Sequence, residues 1–187
     1  TYAPYFLSMV VMCSLVILMV GREGPMGQLY GMITGKAADL LTLPAYFSSI
    51  YVWSGVWQTT GWGTIIYLAA LSGVSPELIE SAKIDGAGRF QVIRHVNLPC
   101  IMPTIIIMFI MNTGNILSVG FEKIFLLQND LNLETSRVLS TYTYEIGLLG
   151  GQFSYSTAIG LFNNLLNILM LFISNRISKK ISGIGLW

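Results

Sequence analysis

The sequence predicts an all-α integral membrane protein with about four spans, and three observations lead there. Of 187 residues, 53% are hydrophobic and only 10% are charged, against roughly 25% charged in a soluble globular domain. The charges are clustered, leaving uncharged runs at Tyr2–Val20, Leu40–Pro76, Val96–Phe121 and Ile146–Asn175. Each is near or above the roughly 18–20 residues that a spanning helix needs. Finally, basic residues gather between the second and third runs and after the fourth, the kind of asymmetry that sets orientation in a bilayer.

The first span is predicted over about Tyr2–Val20, stopped by Gly21-Arg22-Glu23-Gly24-Pro25, whose glycines, proline and charges halt a helix. A polar loop of about 25 residues is expected next. The second span should open near Leu43-Pro44, since proline fits the first helical turn, and run to about Leu71. Its many aromatics, among them Tyr46, Tyr51, Trp53, Trp57 and Trp62, suit a membrane–water boundary. The third is expected from Leu98-Pro99 to about Val119, with Pro103 removing one more backbone donor and predicting a kink. A polar loop, about Gly120–Gln152, should follow, with Tyr142, Tyr144, Leu148 and Leu149 packing partly on the membrane surface. The fourth span, about Tyr155–Ser174, should end at the basic tail NRISKKISGIGLW.

Lys83, Arg89 and Arg94 in the Ser75–Pro99 loop, with Arg176, Lys179 and Lys180 in the tail, put both on the cytoplasmic side. The other two loops hold four basic residues against six acidic ones, and four alternating spans satisfy this arrangement. The net charge of +1 suggests neither nucleic acid nor an acidic partner. Cys13 and Cys100 fall in or beside spans, where cysteine behaves as a small apolar residue, and no disulfide or metal spacing is present. The nine methionines fit apolar packing. The chain begins Thr-Tyr-Ala-Pro, without an initiating Met or a signal-peptide flank, and reads as a piece of a longer protein.

The informative stretch is SPELIESAKIDGAGRFQVIRHVNLP, Ser75–Pro99. Ser75 reads as an N-cap, Pro76 as the first helical residue and Glu77 as an acid facing the positive end of the macrodipole. A short helix to about Ile84 should break at Asp85-Gly86-Ala87-Gly88, and a second, about Arg89–Val96, should precede the third span. Two readings stand: a rigid knob projecting into the cytoplasm and carrying force, or a connection whose helices lie on the membrane.

The run Glu80-Ser81-Ala82, three intervening residues, Gly86, nine residues, then Val96-Asn97-Leu98-Pro99 resembles the EAA motif of permease subunits of binding-protein-dependent ABC importers. Ser81 stands where that family usually has Ala, and Val96 where it often has Ile. WGTIIYLAALSGVSPELIESAKIDGAGRF, GFEKIF and the GLW ending look like the branch importing sugars, complex oligosaccharides and polysaccharide fragments. The resemblance covers nearly the whole chain. It implies a type I ABC importer permease-like helical bundle of about six spans, with one or two N-terminal helices outside this sequence. It also implies one permease domain over residues 1–187, with a coupling loop at 75–97. Glu80, Ser81, Ala82, Asp85, Gly86 and Ala87 would then form the turn docking in a cleft of a cytoplasmic ATPase dimer, flanked by Arg89 and Phe90. The implied partners are that ATPase, a second homologous permease, an extracytoplasmic solute-binding protein, an oligosaccharide and membrane lipid, all at a bacterial plasma membrane. ATP and Mg would belong to the ATPase, and this chain would bind no cofactor. It has no GxxxxGK[ST] loop and no recognisable nucleophile and base, so it is expected not to be an enzyme.

Sugars call for amides and aromatic faces. Asn112 and Asn115 of the third span, Asn163, Asn164 and Asn167 of the fourth, and Tyr51, Trp53 and Trp57 of the second are candidates to line a passage. The competing readings are interhelical hydrogen bonding for the amides and interfacial anchoring for the aromatics. Glu122 and Lys123 read either as a solvated pair or as a contact for a binding protein. His95 reads as a solvated or headgroup-contacting residue, with pH sensing the less favoured alternative. Two other functions compete with the importer reading. A secondary transporter or channel would call for ionisable residues within the spans, and a membrane-embedded enzyme for paired carboxylates or a His cluster; the sequence has neither at membrane depth.

Overall fold

The computed structural model describes residues 2–186, so Trp187 of the GLW ending lies outside the described residues. These residues form helices and no strands. After a single tight turn at Ala3–Phe6, α1 runs Met9–Val20 and α2 runs Pro25–Thr34. Then come α3, Pro44–Ser72; α4, Pro76–Ile84; and α5, Arg89–Gly114. Three short helices follow, α6, Phe121–Leu127; α7, Leu133–Ser136; and α8, Leu139–Tyr144, the last continuing as a widened turn to Leu149. Helix α9 closes the chain at Phe153–Ser182.

Met9–Thr34, Arg89–Gly114 and Phe153–Ser182 are long and apolar enough to cross a membrane. Pro44–Ser72 and Pro76–Ile84 qualify together as a pair bent by 72°, giving up to four spans by length and composition. Several boundaries differ from expectation for local reasons. Helix α1 starts at Met9 because Ser8 caps it, its Oγ accepting from Val11 N–H at 3.4 Å. The polar loop after it contains α2, whose Pro25 fits a first turn and whose end is set by Gly35 at φ +74°. The expected loop at 120–152 is largely helical. Helix α9 continues through Arg176, Lys179 and Lys180, and Gly183, at φ +72°, ends it.

The described residues fall into two compact units, with divisions inside α3 and α9. The first runs through Gly61 and includes Ser118–Phe162. Its core is Met12, Cys13, Val16, Val20, Leu41, Phe47, Ile124 and Leu127, so α1 packs on α6. The second comprises Trp62–Leu117 and the chain from Asn163 onward. There α5 and α9 approach closely at Gly114, where an added Cβ would meet the Leu171 side chain at 2.8 Å; small residues permit such approaches between apolar helices.

Candidate functional site

The second unit carries the Ser75–Pro99 segment. Ser75 Oγ accepts from Glu77 N–H at 3.3 Å, Pro76 opens α4, and Glu77 sits in its first turn. At the other end the backbone closes a Schellman cap: Gly86 N–H donates to Lys83 O at 3.0 Å and Ala87 N–H to Ala82 O at 2.9 Å. Gly86 holds the left-handed position at φ +83°. Among the described residues, its immediate neighbours apart, nothing lies within 4 Å of where its Cβ would stand, so the glycine is required by backbone conformation and leaves an open face. Gly88 then starts α5, its N–H donating to Gln91 Oε1 at 2.8 Å.

The second arm of this elbow differs from expectation. Rather than a separate short helix before the span, Arg89–Val92 runs without a break into Gly114. Ile93–Asn97 form a widened, π-helical stretch in which Leu98 N–H reaches back to Ile93 O. Pro99 supplies the reason. Its ring would crowd the carbonyl four residues earlier, at His95, and a wider turn relieves that crowding while the helix continues.

The elbow is apolar at its tip. Ile84 is 86% exposed and Phe90 87% exposed, one on each side of Gly86. Glu80, Ser81, Asp85 and Arg89 are also exposed, while Ala82 and Ala87 are half-buried on the inner side. The eight predicted coupling residues are therefore brought together on one capped turn and its flanks.

The predicted passage residues are not gathered in this way. In the first unit Trp53 is 71% and Trp57 50% exposed, one turn apart on α3 and hence on one face. Tyr51 is half-buried, its ring stacked on Phe47 at 6.4 Å. In the second unit Asn163, Asn164 and Asn167 share a face of α9 by spacing, with Asn167 buried and Asn164 exposed. Asn112 is exposed on α5. Asn115 lies past the end of α5, its amide donating to Met111 O at 3.4 Å, because the helix stops at Gly114 rather than near Val119.

Lys123 overturns the solvated-pair reading. It is only 5% exposed, and its Nζ donates to Tyr51 O at 2.8 Å and lies 4.6 Å from the centre of the Tyr51 ring. The only ion pair among the described residues is Arg137 with Glu145, so Glu122 does not neutralise it. Burial pushes the Lys123 ammonium below the usual lysine pKa, an effect that Cys13 partly offsets. Gly55 makes the slot: a Cβ there would stand 3.0 Å from Nζ. In the same unit, Asn132 is fully buried, its Nδ2 donating to Leu41 O at 2.9 Å and Leu127 O at 3.1 Å while its Oδ1 accepts from Asn129 N–H at 3.0 Å. In the sequence, only the small residue at 55 and the GFEKIF string hinted at this cluster.

Apolar helices of spanning length, joined by a capped elbow that projects its hydrophobic tip, define a polytopic helical membrane protein. The chain belongs to the family of binding-protein-dependent transport system inner membrane components, matched over residues 1–183. It is 37% identical over 187 residues to the polygalacturonan/rhamnogalacturonan transport system permease protein YteP of Bacillus subtilis, covering 100% of this chain and 58% of that protein. To protein LplB of the same organism it is 38% identical, covering 100% of this chain and 59% of that one. Among solved structures it is similar to a bacterial ABC transporter importing the acidic polysaccharide alginate, at TM-score 0.91 and 38% identity over 97% of this chain and 64% of that one. The alginate transporter in complex with a pentasaccharide-bound periplasmic protein matches at TM-score 0.92, 38% identity, 99% and 65% coverage. The fold is thus that of the ABC importer permeases, as the EAA-like motif implied. This chain spans a little under two thirds of the relatives' length.

Proposed function

We propose that this chain is part of a permease subunit through which an ATP-driven importer passes an oligosaccharide or polysaccharide fragment, with acidic saccharides favoured. The observation carrying the reading is the elbow, a Schellman-capped turn that exposes Ile84 and Phe90 by more than four fifths within a segment matching the EAA pattern. An isolated protein in water would gain from covering two such side chains, each worth on the order of 1.5–3 kcal/mol when fully buried. Their exposure on a cytoplasmic loop fits a protein partner, and we assign that partner as the ATPase dimer. Glu80, Ser81, Ala82, Asp85, Gly86, Ala87, Arg89 and Phe90 form the dock. Closure of the ATPase would push the elbow, and α4 and α5 would carry that motion into the spans. The basic residues of the loop and tail support a cytoplasmic elbow and C-terminus.

A second permease subunit and an extracytoplasmic solute-binding protein complete the assembly. The saccharide assignment draws on the relatives, whose names specify polygalacturonan, rhamnogalacturonan and alginate. The exposed Trp53, Trp57, Asn112 and Asn164 remain the candidates to meet it. The chain itself hydrolyses nothing and binds no cofactor in this reading; ATP and Mg act in the partner.

The test is reconstitution of the full-length protein with the proposed ATPase, second permease and binding protein in proteoliposomes, followed by uptake of labelled oligogalacturonate and of a neutral oligosaccharide of equal length. ATP-dependent, binding-protein-dependent uptake is expected, faster for the acidic sugar. Uptake that persists without ATP and without the ATPase would instead establish an ATPase-independent carrier.

A further inference from the structure

The C-terminal end of α9 presents three different sides. Its uncharged stretch, Phe153–Asn175, rises about 34 Å at 1.5 Å per residue, enough for a hydrocarbon core of about 30 Å. The helix nevertheless runs on to Ser182. Ile173, Ile177 and Ile181 recur every four residues and all are exposed, Ile181 by 80%, so an apolar stripe continues past the end of the span. Ser174, Asn175 and Ser178 make a second, buried side. The chain itself closes over it: Gly183, at φ +72°, turns the backbone, and Leu186 N–H donates to Asn175 Oδ1 at 2.7 Å. Gly185 lets the tail lie this close, since a Cβ there would stand 2.8 Å from that oxygen. Arg176 and Lys180, one turn apart and each one residue before an isoleucine of the stripe, form the third side. Both are exposed, and among the described residues neither has an ion pair. No Asp or Glu follows Glu145 in the sequence.

We infer that Arg176 and Lys180 bind the phosphate headgroup of an anionic lipid in the inner leaflet, with the isoleucine stripe resting on the upper part of its acyl chains. Charge and depth select this occupant. The side is basic with no acid near it in the sequence, so its partner is an anion. Lys180 stands about 6 Å along the axis beyond Arg176, and the headgroup layer on each side of the core is about 5–7 Å deep, so both residues fall within that layer. The Arg176 guanidinium offers a planar fork that matches two phosphate oxygens, and Lys180 adds a point charge one turn further out. Each such charge near an anionic membrane surface gains about 1 kcal/mol. The folded-back tail has its own part, since it occupies the polar side and leaves the stripe and the basic side to the bilayer. The inference requires a cytoplasmic tail and does not depend on what the elbow binds.

The experiment reconstitutes the full-length permease complex in vesicles of phosphatidylcholine with a minor share of phosphatidylglycerol, a photo-crosslinking amino acid replacing Ile181, and identifies the adducts by mass spectrometry. The expected adducts are lipids, with phosphatidylglycerol over-represented at least about three-fold relative to its share of the vesicle. That enrichment should shrink at high salt, and Arg176→Gln combined with Lys180→Gln should abolish it. Both side chains are exposed, so the double change should leave the complex assembled and the bond from Leu186 to Asn175 in place. Lipid adducts in the proportions of the vesicle, or an enrichment that survives the double change, would overturn the headgroup site. Adducts to the ATPase or to a permease subunit in place of lipid would also overturn it, making this side a protein interface. ATPase retention, read in the same samples, reports on the elbow separately.

Discussion

The elbow at residues 75–97 and the cluster around Lys123 and Asn132 solve opposite problems. The cluster hides polar groups: Asn132 is fully buried with three hydrogen bonds, and Lys123 is nearly so with only a carbonyl and an aromatic ring for company. The elbow does the reverse, exposing Ile84 and Phe90 while its polar backbone closes on itself through the cap. A structure under selection for stability alone would have neither feature, since buried ions and exposed large apolar side chains both carry a cost. The difference separates a region built on buried polar bonds from one that exposes apolar side chains. The first region fixes short helices α6 and α7 against the start of α3; the second presents an exposed apolar surface whose own shape is fixed by local bonds.

Changes at four positions would break or sharpen this contrast. The largest effect on activity is expected at the elbow from Gly86→Val. A β-branched residue at φ +83° costs on the order of 1–2 kcal/mol and refolds the cap. Binding-protein-stimulated ATP hydrolysis should fall at least about ten-fold while membrane insertion and the melting temperature of the first unit hold. Gly86→Asn, which tolerates the left-handed region, should retain most of the stimulation. Next, Asn132→Ala orphans the Leu127 carbonyl and the Asn129 N–H and should destabilise the first unit by about 2–4 kcal/mol. A thermal melt of the purified protein reads this as a clear downward shift, with no change in the elbow's accessibility to thiol labelling at an introduced Ser81→Cys.

A smaller effect is expected at Lys123, and its sign follows from the lowered pKa. The unfolded chain holds its proton up to about pH 10.5, whereas the folded site releases it earlier. The folded state therefore bears the cost of the charge fully at pH below the lowered value, and that cost is relieved as pH rises through it toward 10.5. Stability of the wild type relative to Lys123→Met should increase over that alkaline window, measured by denaturant melts across pH 8–11, a range taken from the reference value of about 10.4. The smallest effect is expected from Arg137→Ala. Arg137 pairs with Glu145 but both side chains keep access to solvent, so the loss should be within about 1 kcal/mol and shrink further in high salt.

Particular residues show how far the sequence could be read. The elbow was legible because its determinants are local: Ser75, Pro76 and Gly86 act on their own neighbours, and the structure has each where its chemistry requires. The junction at Pro99 was only half legible. A proline at a helix start and a proline relieved by a widened turn look alike in one dimension, and the choice depends on whether the preceding residues stay helical. Helices α2 and α6 to α8 were missed because they are short and mixed in polarity, so their stability comes from packing on α1 and α3 rather than from periodicity. Lys123 was misread for the same kind of reason. Its burial depends on Gly55, 68 positions away in the sequence, and no local pattern announces that pairing. The passage residues sit between these cases, since helical spacing fixes which of them share a face but not what that face meets.

The central claim is that the exposed apolar tip is the ATPase dock. The most direct measurement is affinity purification of the full-length protein in mild detergent, wild type beside the double change Ile84→Ser, Phe90→Ser, with the co-purifying ATPase quantified against the second permease. Both side chains are exposed in the folded chain, so the double change should leave the melting temperature and permease pairing intact. The account predicts near-stoichiometric ATPase with the wild type and its loss from the variant. Equal ATPase in both preparations would contradict it.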